Sequence, residues 1–169
     1  MKIDDIKKQA EYEELEYKYK QACKKINEDL FWKCVAEFKT FFTGSNDPNF
    51  TDKTSANGLT IYYKGASIYT FSNSPTENTS LNVSVQIMNE KKHKATAIFT
   101  TSDIDYPGMD LLTEAKRKSN LVDITEDPNK RTIKYYTAVV NGEVKLTYHF
   151  HVGKNVYDTF TELLEKETF

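Results

Sequence analysis

The sequence predicts an α+β fold: a long N-terminal helix packed on a curled antiparallel sheet of about six to seven strands, with a short crossover helix and a C-terminal helix. Three observations carry this expectation. Residues 2–42 contain no Pro or Gly and place apolar side chains three and four positions apart. Residues 81–87 alternate strictly, with Leu81, Val83, Val85 and Ile87 between Asn82, Ser84 and Gln86. Most of the remaining chain breaks into short β-rich runs separated by turn formers, and strands joined by short turns make an antiparallel sheet.

The first helix is expected to have two characters. Its apolar stripe runs through Tyr12, Leu15, Tyr19, Ala22, Cys23, Ile26, Leu30, Cys34, Phe38 and Phe41. Glu14 to Lys18 and Glu16 to Lys20 are ion pairs in the favourable i,i+4 order, each worth ~0.2–0.5 kcal/mol. Residues 2–20 are mostly charged around a narrow seam. Residues 30–42 carry Leu30, Phe31, Trp32, Val35, Phe38, Phe41 and Phe42 on more than one side, the pattern of a buried helix. Gly44 supplies a stop and Pro48 follows. A helix of this length spans ~60 Å at ~1.5 Å per residue, more than a compact chain of this size needs. It therefore either bends into two helices or projects its first half as an arm. The projecting case exposes Tyr12, Leu15 and Tyr19 to a protein partner or a second copy. The domain expectation is one domain: 1–42 as the helix and 43–169 as the sheet, completed by residues 30–42.

Along the rest of the chain, 43–57 reads as a polar loop and 59–64 with 66–71 as a hairpin around Gly65. Glu90 to His93 turns the 81–87 strand into 95–102. Pro107 suits the first turn of a short helix reaching Lys118. Residues 121–126 and 131–140 read as strands. Asn141-Gly142 reads as a type I′ turn into a strand at 143–152. Asn155 is placed to cap a closing helix with the face Val156, Phe160, Leu163 and Leu164.

Composition bounds the function. The chain has 169 residues and a net charge of -2. Its two arginines, Arg117 and Arg131, are few for nucleic-acid recognition. The charged start and the lack of a long apolar run point away from a leader or a membrane and toward the cytoplasm. Cys23 and Cys34 are eleven residues apart on the helix, which separates them by ~16 Å, too far for a disulfide. They read as reduced thiols. The wealth of Lys, Asn, Ile, Tyr and Thr points to a low-GC bacterial or phage genome.

Candidate chemistry is sparse. His149 and His151 share one strand face, a common metal arrangement, and Asp103 and Asp105 are the nearest candidates for a third ligand. Yet they share that face with Lys145 and Thr147, opposite Leu146, Tyr148, Phe150 and Val152, which reads as the solvent side. Asp103, Asp105 and Asp110 lack calcium-loop spacing. Lys91, Lys92, His93 and Lys94 form a basic turn. Tyr62, Tyr63, Tyr69, Tyr135, Tyr136 and Tyr148 fall on expected strands and suit an outward aromatic patch. No nucleophile elbow, phosphate loop or zinc motif occurs in the sequence, so no cofactor is called for. Carboxylate-only chemistry stays open.

The order of elements resembles the α+β layout of bacterial secretion chaperones, small dimeric proteins that hold unfolded partners. It also resembles the helix-on-curved-sheet folds that enclose a small-molecule pocket. The expectation is a non-enzymatic interaction module: an adaptor, inhibitor or chaperone-like protein, binding through Tyr12, Leu15, Tyr19, Tyr62, Tyr69 and Tyr136. The alternatives are a pocket protein for a small molecule or nucleotide, and a metal-dependent hydrolase using His149 and His151.

Overall fold

Residues Ile3–Thr43 form one unbroken helix, α1. The alternative of two shorter helices is thereby set aside. Asp4 and Asp5 sit in its first turn, where the macrodipole favours acids. The expected pairs close at 2.7 Å (Glu14–Lys18) and 3.4 Å (Glu16–Lys20). At the far end the Gly44 N–H donates to Thr40 O at 2.8 Å. A Cβ on Gly44 would lie 2.5 Å from that same oxygen, so only glycine ends the helix this way.

The structure is a computed structural model and describes residues 2–73, 81–91, 93–105 and 128–167. Seven strands follow α1 in a single antiparallel meander that does not close: β1 (Phe50–Ser55), β2 (Gly58–Tyr63), β3 (Ala66–Asn73), β4 (Asn82–Asn89), β5 (Lys94–Asp105), β6 (Lys145–Val152) and β7 (Asn155–Tyr157). Strand order equals chain order, so β1 and β7 are the edges. Helix α2 (Pro128–Val140) lies between β5 and β6 in the chain, and α3 (Phe160–Lys166) closes it. The α+β architecture read from the sequence is the one observed.

Several element assignments differ from the sequence reading. The stretch 50–55, read as loop, is the edge strand β1. Its residues FTDKTS are polar because only Phe50 and Asp52 turn partly inward. Residues 131–140, read as a strand, are the body of α2, with Pro128 at its first position. Asn141-Gly142 does not make a hairpin. The Gly142 N–H donates to Val139 O (3.2 Å) and the Glu143 N–H to Ala138 O (2.9 Å), with Gly142 at φ 70°. That is a Schellman cap on α2. Asn155 is in β7, and α3 is capped by Thr159, whose Oγ1 accepts from the Glu162 N–H at 3.1 Å. The expected helix at 107–118 and strand at 121–126 lie outside the described residues.

The chain divides into two compact units, and the division falls inside α1. One is Met1–Cys23 with Asp103–Leu146, and the other is Lys24–Ser102 with Thr147–Phe169. In the sheet unit, Phe31, Cys34, Val35 and Phe38 of α1 meet Leu59, Ile61, Phe71, Val83, Val85, Ile87, Ala97 and Phe99 from the strands. Phe150, Phe160, Leu163 and Leu164 complete this core. The alternation read at 81–87 points its apolar members inward as expected, with Val85 and Ile87 fully buried. Gly58 lets β2 approach β3: a Cβ there would fall 1.9 Å from Phe71 O.

In the helical unit, α1 and α2 meet through tyrosines. Tyr19 stacks on Tyr136 with ring centres 4.0 Å apart, and tilts against Tyr135 at 5.6 Å. Tyr12 and Tyr136 are 6.3 Å apart. Tyr19 is thereby only 7% exposed, and Tyr12 and Leu15 are half-buried. The stripe expected to face water is largely covered within the unit by α2, an element the sequence reading took for a strand.

Candidate functional site

The sheet unit carries a broad groove of about 730 Å³, more open than enclosed. Its floor is built at the turn end of β1, β2 and β3. Register sets Phe50 opposite Tyr63, and their rings lie 4.8 Å apart. Between Ile61 and Tyr62 the β2–β3 register shifts: Ile61 faces Tyr69 and Tyr62 faces Ser67, which leaves Ile68 as the extra residue. A bulge of this kind re-aims side chains. Ile68 and Tyr69, although consecutive, both pack against the core cluster. Lys64 and Gly65 close the hairpin with φ 50° and 81°, both left-handed, the geometry of a two-residue type I′ turn. Behind the floor, Phe42 of α1 supports Tyr69 at 5.3 Å and Phe50 at 6.0 Å.

The rim is polar and held in shape by two turns, one organised by the Asp47 carboxylate and one by the Asn89 side chain. Asp47 Oδ1 accepts from the Asn49 N–H (2.9 Å) and from Asn49 Nδ2 (2.7 Å). Asn89 Oδ1 accepts from the N–H groups of Lys91 and His93, each at 3.0 Å, and the Asn89 N–H donates to His93 O at 3.1 Å. The β4–β5 turn therefore presents Glu90, Lys91 and His93 to the groove in a fixed arrangement. Charges of both signs line it, Asp47 and Glu90 against Lys91, with the His93 imidazole beside them. An aromatic floor with a mixed-charge rim is a binding geometry, able to take an apolar side chain and hold polar groups around it.

The sequence-predicted residues scatter over the molecule. Tyr69 is in the groove floor. Tyr62, one residue from the floor residue Tyr63, points to the other sheet face and is half-buried. Tyr136 lies in the tyrosine stack of the helical unit rather than on a strand. Tyr12 and Leu15 line a second depression of about 620 Å³ in the helical unit, beside Ile133 of α2. The basic turn and the strand tyrosines, separate features in the sequence, come together through Lys91, His93, Tyr63 and Tyr69. Lys92 lies outside the described residues. Phe50, Ile68 and Asp47 were not among the sequence candidates. The Gly65 hairpin was the available signal, because it brings Tyr63 and the bulged pair Ile68–Tyr69 to one end of the sheet.

His149 and His151 sit on β6 with ring centres 6.4 Å apart. His149 Nε2 is 3.7 Å from Asp158 Oδ1, a carboxylate supplied by the turn before α3. The side chains of Asp103 and Asp105, on the last part of β5, lie outside the described residues. Among the described residues, no three His, Cys, Asp or Glu side chains gather as a metal-ligand set. Nor is any helix among them long and apolar enough to cross a membrane.

Both cysteines are free thiols buried in α1. Burial pushes the Cys34 thiol up to about 12, with Glu37 adding to the shift, which leaves it protonated and unreactive at neutral pH. Burial likewise raises Cys23. Tyr19 is raised well above the ordinary tyrosine range, first by burial and then by hydrogen bonds with Cys23 and Tyr135.

Comparison with known proteins finds no family model, no curated protein and no solved structure that matches the chain.

Proposed function

We propose that this protein is a non-enzymatic protein-binding module of the cytoplasm, an adaptor, inhibitor or chaperone-like factor. Its groove beside the β4–β5 turn takes an apolar side chain of a protein partner. The observation that carries this reading is the floor of Phe50, Tyr63, Ile68 and Tyr69, left open in a groove with a mixed-charge rim. Aromatic residues surrounded by polar groups are the usual composition of an interface centre. Tyr supplies large contact area with few rotatable bonds to freeze. The two buried thiols, unreactive at neutral pH, suit a reducing compartment.

A second reading, a pocket for a small molecule, draws on the groove's volume, which falls within the ~300–1,000 Å³ range of ligand sites. Its openness favours the first reading, since small-molecule sites bury most of their ligand.

Selection of short displayed peptides on the intact protein tests the proposal. Enriched peptides should share an apolar or aromatic anchor. Their affinity should fall roughly tenfold or more with Tyr63→Ser. Lys91→Glu, at an exposed turn position, should shift the charge preference of the peptides without changing the fold. Peptides that bind both variants as well as wild type, or a selection that yields no common anchor, would remove the groove reading.

A further inference from the structure

The first half of α1 has two faces. One holds Tyr12, Leu15 and Tyr19 and is partly covered by α2. The other carries Ile3, Ile6, Ala10 and Tyr17. These are separated by three, four and seven residues, a heptad spacing that keeps them on one line. At ~100° per residue this line lies on the opposite side of the helix from Tyr19. All four are exposed: Ile3 at 72%, Ile6 at 53%, Tyr17 at 64%, and Ala10 in the same class. Among the described residues of its unit, none covers this seam.

We propose that two copies of the chain pair antiparallel along this seam. The charges flanking it select both the partner and the direction. Glu13 lies in the seam itself, and Lys7 and Glu14 lie on one flank, seven residues apart. In an antiparallel pair Ile6 packs on Tyr17 of the second copy, and Ala10 faces its Glu13. Lys7 meets Glu14 of the second copy, and each of these contacts occurs twice by the two-fold symmetry. On the other flank Gln9 meets Glu16, a pairing without repulsion. The parallel arrangement fails on charge: it stacks Glu13 on Glu13 at the centre of the seam and brings Lys2 against Lys7. Like charges held together are disfavoured, so the direction is set by repulsion as well as attraction. Lys18, which pairs with Glu14 within one chain at 2.7 Å, extends the Lys7–Glu14 contact into a network. The proposal is independent of the groove in the sheet unit.

The seam is short, so association is weak, with Kd on the order of 100 µM. Sedimentation velocity over a concentration series up to ~1 mM reads it directly. The mass of the wild-type protein should rise from the 19.5 kDa monomer toward twice that value. The variant Ile6→Lys with Tyr17→Lys should stay monomeric throughout, with unchanged circular dichroism. Direction is read by mixing two single variants, Ile6→Cys and Tyr17→Cys, with a short bismaleimide. Cross-linked product should contain one chain of each kind, while the buried Cys23 and Cys34 leave the wild type unlinked. A wild type that is monomeric at every concentration overturns the proposal. So does a dimer that persists with both lysines in place. Linkage of Ile6→Cys only to itself overturns the antiparallel arrangement.

Discussion

Among the described residues, the most deeply buried aromatic contacts differ between the two compact units. The sheet unit is sealed by phenylalanine: Phe38, Phe71, Phe99 and Phe160 are each 1% exposed or less. They touch one another in a chain of ring contacts between 5.1 and 5.8 Å. The helical unit is joined by tyrosine, through Tyr12, Tyr19, Tyr135 and Tyr136. The difference is chemical. A phenyl ring has no polar atom to satisfy and can be enclosed completely. A phenol must keep its hydroxyl bonded, so the cluster stays coupled to pH, with Tyr19 buried and Tyr12, Tyr135 and Tyr136 half-buried around it. One unit is therefore expected to unfold as a dry core, and the other to respond to smaller perturbations.

The largest expected effect is in the dry core. Phe38→Ala should cost about 3–5 kcal/mol, measured by urea denaturation, because a ring 1% exposed leaves a cavity its packed neighbours cannot fill. Tyr19→Ala should cost less, about 2–3 kcal/mol, since its neighbours Tyr12, Tyr135 and Tyr136 are only half-buried and can relax into the space. Equal losses at the two sites would erase the distinction drawn between the units. Gly142→Ala should cost about 1 kcal/mol, because φ of 70° strains any residue with a Cβ. Hydrogen exchange should locate that loss at the end of α2.

The smallest effect is expected just above pH 10. Tyr19 and Tyr136 have folded-state pKa values raised above the ordinary 10.0, first by burial. Their contribution to stability is complete below the unfolded value and is lost as pH rises above it toward the folded values. Near-ultraviolet titration should show these phenols ionising late. Amide exchange in α1 residues before Cys23 should quicken above pH 10 before that of β4 changes. Simultaneous loosening of both regions would contradict the comparison.

Legibility in the sequence followed the same divide. Val83, Val85 and Ile87 were readable because half-buried strands write their burial in a period of two. α1 was readable because 41 residues without a breaker leave little else possible. The body of α2 was misread for a physical reason. Thr132, Ile133, Tyr135, Tyr136, Thr137, Val139 and Val140 are β-branched or aromatic, so local preference favours a strand. The contacts of Tyr135 and Tyr136 with Tyr19 override that preference, and no single-chain pattern reports contacts with residues more than a hundred positions away. Asn141-Gly142 was ambiguous in itself, since left-handed Gly serves both a hairpin and a helix cap. Pro128 was the overlooked sign, because proline at a first helical position marks a start. In the groove, the tyrosines and the basic turn were visible separately. Their meeting depends on the β3 bulge at Ile68, which sequence spacing does not announce.

The sheet's first edge has a further consequence. An unclosed sheet offers its outermost strand to other chains as a template, and long apolar edges seed fibrils. Here that strand has six residues, with Asp52 and Lys53 in its middle and an exposed run of Lys53, Thr54 and Ser55. Asp52 is also anchored by Lys39 at 3.3 Å. A copy arriving side by side in the antiparallel sense would have to desolvate four charges across one short ladder. A short, charged edge of this kind is a poor template for strand addition.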